Sequence, residues 1–196
     1  MIRTNHIRIA ILLSALLACN ISVAASCNER SPNLISLGDQ YYDLDVVPPT
    51  PKDRKAIISI AKKMVGRWKG KGTKFQCTGS DEDPEVENRT ISLTANITID
   101  SSGALQIHTK KYIEEERVRL QDTLVLFSNL AEHSASIIPN GFEVIAKFRS
   151  KVNETYRPLT EIIHSIIYTR QNLAYTLSIY VNGYLAEQEH WKLIRN

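Results

Sequence analysis

Among the residues that could take part in chemistry, the histidines are the most suggestive, and His164 has the most unusual surroundings. It lies in the segment IIHSIIY, where Ile162, Ile166 and Tyr168 share its face if the segment is a strand. An imidazole on an apolar inner face could bind haem iron or hydrogen-bond a ligand. The alternative is a histidine paired with another protein group, and His190 in EQEHWK is open to the same two interpretations.

No group of residues has the spacing of a known catalytic motif. Serine, histidine and aspartate are present, but no nucleophile elbow marks one of the serines. Carboxylate pairs for acid–base chemistry depend on strand register, which the sequence leaves open. The acidic segment 80–87 lacks the pattern of a calcium loop, and no CxxC or CxxH spacing suits zinc. We therefore expect that the protein is not an enzyme and that it has no metal site and no cofactor.

Residues 66–72, GRWKGKG, combine three glycines with three basic residues around Trp68. A phosphate-binding P-loop needs four residues between its first glycine and a Gly-Lys pair, which Ser or Thr then follows. Here only three residues separate Gly66 from Gly70, and Gly72 follows the lysine. We interpret the segment as a β-strand with a tryptophan and two glycines on one face. Two successive glycines there predict a sharp bend or the close approach of another segment.

The cysteines suggest one disulfide bond. The chain contains three of them, Cys19, Cys27 and Cys77, and Cys19 lies in a segment that we expect to be removed or acylated. In an oxidising compartment the remaining pair, Cys27 and Cys77, should form a disulfide that closes a loop of about 50 residues. The alternative is two free, buried thiols.

The first 25 residues are organised like a secretory signal peptide. A basic start with Arg3 and Arg8 precedes the apolar run 9–18, and small residues follow. The apolar run is shorter than the ~20 residues of a membrane-spanning helix, and no later segment is long and apolar enough to span. We predict a signal peptide over residues 1–25 and export to the periplasm or the medium.

Two cleavage sites suit this segment. Val23-Ala24-Ala25 provides the small residues that signal peptidase I requires, whereas Leu16-Leu17-Ala18-Cys19 resembles a bacterial lipobox. In the second case Cys19 would carry a lipid anchor. We favour the first site, which leaves a membrane-anchored lipoprotein as the alternative.

The overall charge argues against one class of partner. The formal net charge is +3, and removal of Arg3 and Arg8 would leave about +1. A general nucleic-acid-binding protein shows a basic face or stripe, which this near-neutral balance does not suggest. We therefore expect no nucleic-acid partner.

Two elements precede the strands. Residues 26–50 show no clear period, and we interpret them as an extended N-terminal arm. Thr50 is a good N-cap and Pro51 suits the first helical position. Apolar residues then recur at helical spacing from Ile57 to Met64, which predicts one amphipathic helix of about four turns.

The sequence after residue 66 has the alternation of β-strands. The clearest strand is RTISLTANITID, residues 89–100, and Asn140-Gly141 and Asn182-Gly183 are strong hairpin signals. About nine strands joined by short turns should pair as antiparallel neighbours, and closure protects their edges. We predict a mainly β protein, an antiparallel up-and-down β-barrel of about 8–10 strands with one N-terminal α-helix. A two-sheet sandwich is the alternative.

The last hairpin contains a conflict between its two faces. A two-residue turn at Asn182-Gly183 would pair Val181 with Tyr184. The face they share would combine apolar and polar residues, namely Tyr175, Leu177, Ile179, Gln188, His190 and Lys192. Either a β-bulge shifts the register, or the interior is partly polar, as a ligand cavity would be.

Gly66-Arg67-Trp68, the short helix before it, and Trp191 and Arg195 near the chain end resemble the lipocalin-like, or calycin, β-barrels. The extended GxWxGxG form is most similar to small bacterial lipocalin-like domains and to nitrobindin-type haem barrels. The resemblance implies a domain over residues 51–196. It also implies that Trp68 sits at the closed end of the barrel, with the Arg195 guanidinium packed across its ring.

The resemblance further implies that the protein binds a small hydrophobic ligand in its lumen. The residues that we expect to line or close the lumen are Trp68, Tyr112, His164, Tyr168, Tyr175 and Arg195. One alternative is a non-enzymatic envelope protein whose barrel is filled by its own side chains and which acts structurally or by interaction. The other is a haem-binding barrel.

Overall fold

This computed structural model describes residues 26–33, 35–37, 40–42, 48–79, 84–127, 133–149 and 158–196. The predicted signal peptide, residues 1–25, and both of its cleavage sites lie outside the described residues. Within the described part of the chain, no helix is long and apolar enough to cross a bilayer.

The predicted helix is present as α1, Pro51–Met64. Its N-cap is Thr50, whose hydroxyl accepts a hydrogen bond from the Asp53 amide at 3.2 Å. Ile57 and Ala61 lie on its buried face together with Met64, the last helical residue. The apolar spacing in the sequence therefore identified both the helix and the side that packs on the sheet.

The remaining elements are strands. They are β1 (Ile35–Leu37), β2 (Gln40–Tyr42), β3 (Gly66–Gly79), β4 (Pro84–Ile99), β5 (Leu105–Ile113), β6 (Val118–Leu126), β7 (His133–Ile138), β8 (Gly141–Arg149), β9 (Leu159–Tyr168), β10 (Asn172–Val181) and β11 (Tyr184–Arg195).

Nine of these strands form one sheet in the order β6-β5-β4-β3-β11-β10-β9-β8-β7, and β1 and β2 form a separate hairpin. All neighbours in the large sheet are antiparallel. The predicted mainly β fold with antiparallel strands and one N-terminal helix is confirmed. The sheet curls into a half-barrel, and in the described part of the chain β6 and β7 do not pair with each other, so the expected closure of the barrel is incomplete.

The glycines of GRWKGKG let β11 lie unusually close to β3. A Cβ at Gly70 would lie 2.0 Å from the Lys192 carbonyl oxygen, and one at Gly72 would lie 2.6 Å from the His190 carbonyl oxygen. The interpretation of this segment as a strand is confirmed, and the close approach comes from the last strand of the chain.

A β-bulge resolves the conflict in the last hairpin. Val181 pairs with Tyr184 as the turn predicts, but the register shifts so that Ile179 pairs with Glu187. Because a shift of one residue reverses the faces, Trp191 now shares the inner face with Tyr175. The first of the two alternatives, a bulge, is therefore correct.

The hydrophobic core fills one end of the concave face. There α1 packs against β4, β7 and β8, and Trp68, Ile97, Phe142 and Ile166 are all fully buried. We call this part the closed end.

The N-terminal segment 26–33 lies on the outer, convex side of the sheet. Cys27 and Cys77 form the predicted disulfide, with their Cα atoms 5.7 Å apart. The Ser31 amide donates to the Gly183 carbonyl at 2.9 Å, and its hydroxyl donates to the buried Glu161 carboxylate. The segment is thereby fixed to β3, to β9 and to the turn before β11.

Candidate functional site

Beyond the closed end, the concave face opens into a cavity of about 330 Å³. Strand alternation directs side chains from β3, β4, β5, β6, β10 and β11 into it. Its apolar lining consists of Ile91, Ile113, Val118, Leu120, Leu124, Tyr175, Leu177 and Trp191. This volume is at the lower end of the range for small-molecule sites.

Two aromatic rings form the floor of this cavity. Tyr175 and Trp191 are direct cross-strand partners whose ring centroids are 4.2 Å apart, and both are buried. Gly72 lies opposite Trp191 on β3, and a Cβ there would come within 2.9 Å of the indole. The second glycine of GRWKGKG therefore makes room for the indole that lines the cavity.

His164 lies beside this floor, on the adjacent strand β9. Its Nδ1 is 2.9 Å from the Tyr175 hydroxyl oxygen, so one of the two groups donates to the other. Burial, and then the nearby carboxylates of Glu189 and Asp122, raise the pKa of Tyr175, which therefore remains a neutral phenol. His164 shares the concave face with its cross-strand partner Leu177 but is not among the residues that line the cavity.

The cations around the cavity are paired with carboxylates. Glu189 is only 4% exposed, and Lys111 Nζ lies 2.7 Å from its carboxylate. The Trp191 indole N–H also donates to this carboxylate, and Lys111 Nζ lies 4.9 Å from the centre of the same ring. Lys74 and Glu187 form a second pair at 3.0 Å. Arg89 pairs with Glu116, so each lining cation has a carboxylate partner, whereas Asp122 lines the cavity without an ion pair among the described residues.

Three of the predicted site residues meet at the closed end instead. The Arg195 guanidinium lies 4.6 Å from the centre of the Trp68 ring, and Tyr168 packs edge-on against the same ring at 6.1 Å. Trp68 Nε1 donates to the Met64 carbonyl at 2.8 Å, and Arg195 donates to the Lys63 carbonyl at 2.6 Å. These residues hold the end of α1 and satisfy its last carbonyl groups.

Tyr112 lies on the convex face, outside the cavity. Within β5 its neighbour Lys111 points inward to Glu189, so alternation turns Tyr112 outward, where it is 37% exposed. Of the six predicted residues, Tyr175 lines the cavity and His164 is hydrogen-bonded to the Tyr175 hydroxyl.

Sequence reasoning missed Trp191, Glu189 and Lys111 as members of the site. Without the bulge, the hairpin register places His190 and Lys192 on the inner face and Trp191 on the outer one. The available signal was the conflict between apolar β10 and polar β11, which a bulge removes.

Among the described residues, no group of three or more His, Cys, Asp or Glu side chains could hold a metal ion. Hydrogen-bonding groups, such as the Glu189 carboxylate, lie beside the apolar wall of the cavity.

No protein-family model matches the sequence, and no curated protein matches it. Solved structures similar to the chain include a DUF3598-family protein of unknown function from Nostoc punctiforme, which is 9% identical with a TM-score of 0.32. That alignment covers 69% of this chain and 49% of the other, so this chain spans about half the length of the Nostoc protein. The 12:0-ACP thioesterase from Umbellularia californica is 5% identical with a TM-score of 0.17, over 70% and 78% of the two chains. Both scores are too low to support an argument.

Proposed function

We propose that this protein is an exported, lipocalin-like binding protein that holds a small, mostly apolar molecule in the concave cavity. The observation that carries the proposal is the 330 Å³ cavity on the Tyr175–Trp191 floor. Buried aromatic faces with a few hydrogen-bonding groups at their edge are typical of small-molecule sites.

The paired cations favour a ligand without a negative charge. An anionic ligand would need an unpaired cation in the cavity, whereas Lys74, Arg89 and Lys111 each have a carboxylate partner. The apolar body of the ligand would lie against Trp191 and Leu177. Its polar group would reach the Lys111–Glu189 pair.

Export is the second component of the proposal. The Cys27–Cys77 disulfide supports it, because disulfides persist in oxidising compartments. The basic, apolar and small-residue succession of residues 1–25 supports it independently.

A filled barrel that acts through its surface is the alternative function. The closed end favours it, since side chains of α1 and the sheet fill that half of the concave face. The two functions differ in whether the cavity binds a ligand, so a binding experiment distinguishes them.

The experiment is a fluorescence titration with N-phenyl-1-naphthylamine, a neutral apolar probe. Val118 and Val125 both lie on β6 and are similarly exposed, at 39% and 43%. Val118 lines the cavity, whereas alternation places Val125 on the convex side. Val118→Arg should weaken probe binding by roughly tenfold or more, because a charge at the apolar wall must be desolvated. Val125→Arg should leave it unchanged. A wild-type protein that does not bind the probe, or equal losses in both variants, would contradict the proposal.

A further inference from the structure

The convex side of β11, β3, β4, β5 and β6 carries a group of exposed cations that the cavity does not use. We call this group the basic array. Its members are Arg67, Lys69, Lys71, Lys110, Arg119 and Lys192. Four strands, β3, β5, β6 and β11, supply them, and antiparallel pairing brings them onto one surface.

Two rows across the sheet contain most of the array. The strand registers align Lys192, Lys71, Ser92, Tyr112 and Arg119 in one row, and Ile194, Lys69, Thr94, Lys110 and Gln121 in the next. Five strands at their usual spacing make such a row about 19 Å wide. A shallow groove of about 760 Å³ follows both rows.

Within the described part of the chain, no carboxylate pairs with a member of the array. The cations that do form ion pairs lie outside the array and include Lys74, Arg89, Lys111 and Lys147. A carboxylate reaches the margin of the surface at Glu114, which accepts a hydrogen bond from the Ser92 hydroxyl at 2.9 Å. The array is therefore a positive surface on a chain whose total charge is close to neutral.

This arrangement costs stability in the free protein. Lys71 and Lys192 are direct cross-strand partners, and like charges at such positions repel each other. A bound anion would relieve the repulsion, since it offers the array the counter-charge that the fold does not provide.

The shape of the array indicates which anion fits. The cations spread over two dimensions, whereas a single-stranded polynucleotide presents its phosphates in a line. Tyr112 and Ile194 also project from this surface, at 37% and 52% exposure. An amphipathic aromatic ring and an apolar side chain among cations are suited to the headgroup region of a bilayer.

We propose that the basic array docks the protein onto the phosphate-bearing surface of an anionic lipid bilayer. Contact through the convex face leaves the concave cavity on the opposite side of the sheet.

The experiment measures sedimentation of the purified chain with vesicles of about 30% phosphatidylglycerol in phosphatidylcholine, and with pure phosphatidylcholine vesicles. The array variant is Lys69→Gln/Lys71→Gln/Lys192→Gln. The matched control is Lys52→Gln/Lys55→Gln/Lys62→Gln, which removes the same charge from exposed positions of α1. All proteins carry the same N-terminus, and circular dichroism verifies their fold.

We expect binding to the anionic vesicles only, with roughly 100-fold weaker binding for the array variant, because each surface lysine contributes about fivefold. The α1 control should stay within about threefold of the wild type, and salt should weaken binding throughout. Equal losses in the two variants would overturn the proposal, as would the absence of binding to anionic vesicles. Tighter binding to a single-stranded oligonucleotide than to the vesicles would overturn it in favour of a soluble polyanion.

Discussion

Two regions of the same sheet, the concave cavity and the basic array on the convex face, hold their cations in opposite ways. On the concave face Lys111 and Lys74 each contact a carboxylate, and Glu189 beside them is buried. On the convex face Lys71 and Lys192 oppose each other across two strands, with no carboxylate between them in the described residues. A single strand such as β5 contributes to both faces, since Lys110 and Lys111 are neighbours in sequence.

The difference follows from the solvent that each face meets. Removing a charge from water is expensive, so a charge beside the buried Trp191 floor is tolerated only with an opposite partner. A charge in water needs no partner and is available to an external anion. The concave face is thus suited to an apolar ligand and the convex face to an anionic surface.

We expect the largest change in stability from a pair of substitutions in β5, which place the same change on each face of the sheet. Lys111→Met removes the cation from a buried pair and should lower the free energy of unfolding by about 3 kcal/mol, because Glu189 is left buried beside an apolar group. Lys110→Met, one residue earlier on the other face, should change it by less than about 0.5 kcal/mol. Urea denaturation measures both. Equal effects would show that the two faces treat charge alike.

Removing the disulfide tests whether the two ends of the convex face are stabilised independently. The N-terminal segment covers one end of that face, and the basic array lies at the uncovered end. Replacing Cys27 and Cys77 by alanine should cost about 2–4 kcal/mol of stability, because a 50-residue loop is no longer closed. Hydrogen exchange should accelerate around Glu161 and Leu185, which the segment contacts, more than in the array strands. Faster exchange throughout the sheet would show that the two ends are not separate.

Removing one member of the opposed pair should stabilise the protein. Lys71→Gln should raise the free energy of unfolding by roughly 0.5 kcal/mol at low salt, because it ends the repulsion with Lys192. About 1 M salt should abolish the gain. Lys69→Gln is the control, since its cross-strand partners Ile194 and Thr94 carry no charge. A loss of stability in Lys71→Gln would mean that this lysine has a favourable partner.

The smallest effect concerns His190, which lies on the convex face between the N-terminal segment and the basic array. Burial, and then the charge of Lys192, lower the pKa of His190 below its ordinary value. The unfolded chain therefore binds a proton more readily, and this residue makes stability fall as the pH drops below about 6.5. Lys192→Gln should raise the pKa of His190 and reduce that loss. Histidine NMR titration measures the shift, and an unchanged or lower pKa would remove Lys192 as a cause.

The sequence predicted the elements whose signals are local. Apolar residues at helical spacing and the Thr50 cap identified α1, and strict alternation identified β4. The Asn182-Gly183 turn was also correct, because its backbone requirements are specific to a few residue types.

The site and the array depend on long-range pairing, which local patterns do not contain. One extra residue in β11 decides whether Trp191 or His190 faces the cavity, and that bulge has no fixed sequence signal. The basic array was hidden for a related reason. Net charge is a sum over the whole chain, in which carboxylates elsewhere cancel the unpaired cations of the array. A near-neutral total therefore conceals a positive surface.

The most direct test of the central claim is the mass of the native protein. We would isolate it from its own host and compare the masses under native and denaturing conditions. The account predicts a surplus native mass that is lost on denaturation and displaced by N-phenyl-1-naphthylamine, because a ligand lies on the Tyr175–Trp191 floor. Identical masses under both conditions would contradict it and favour a barrel that acts through its surface alone.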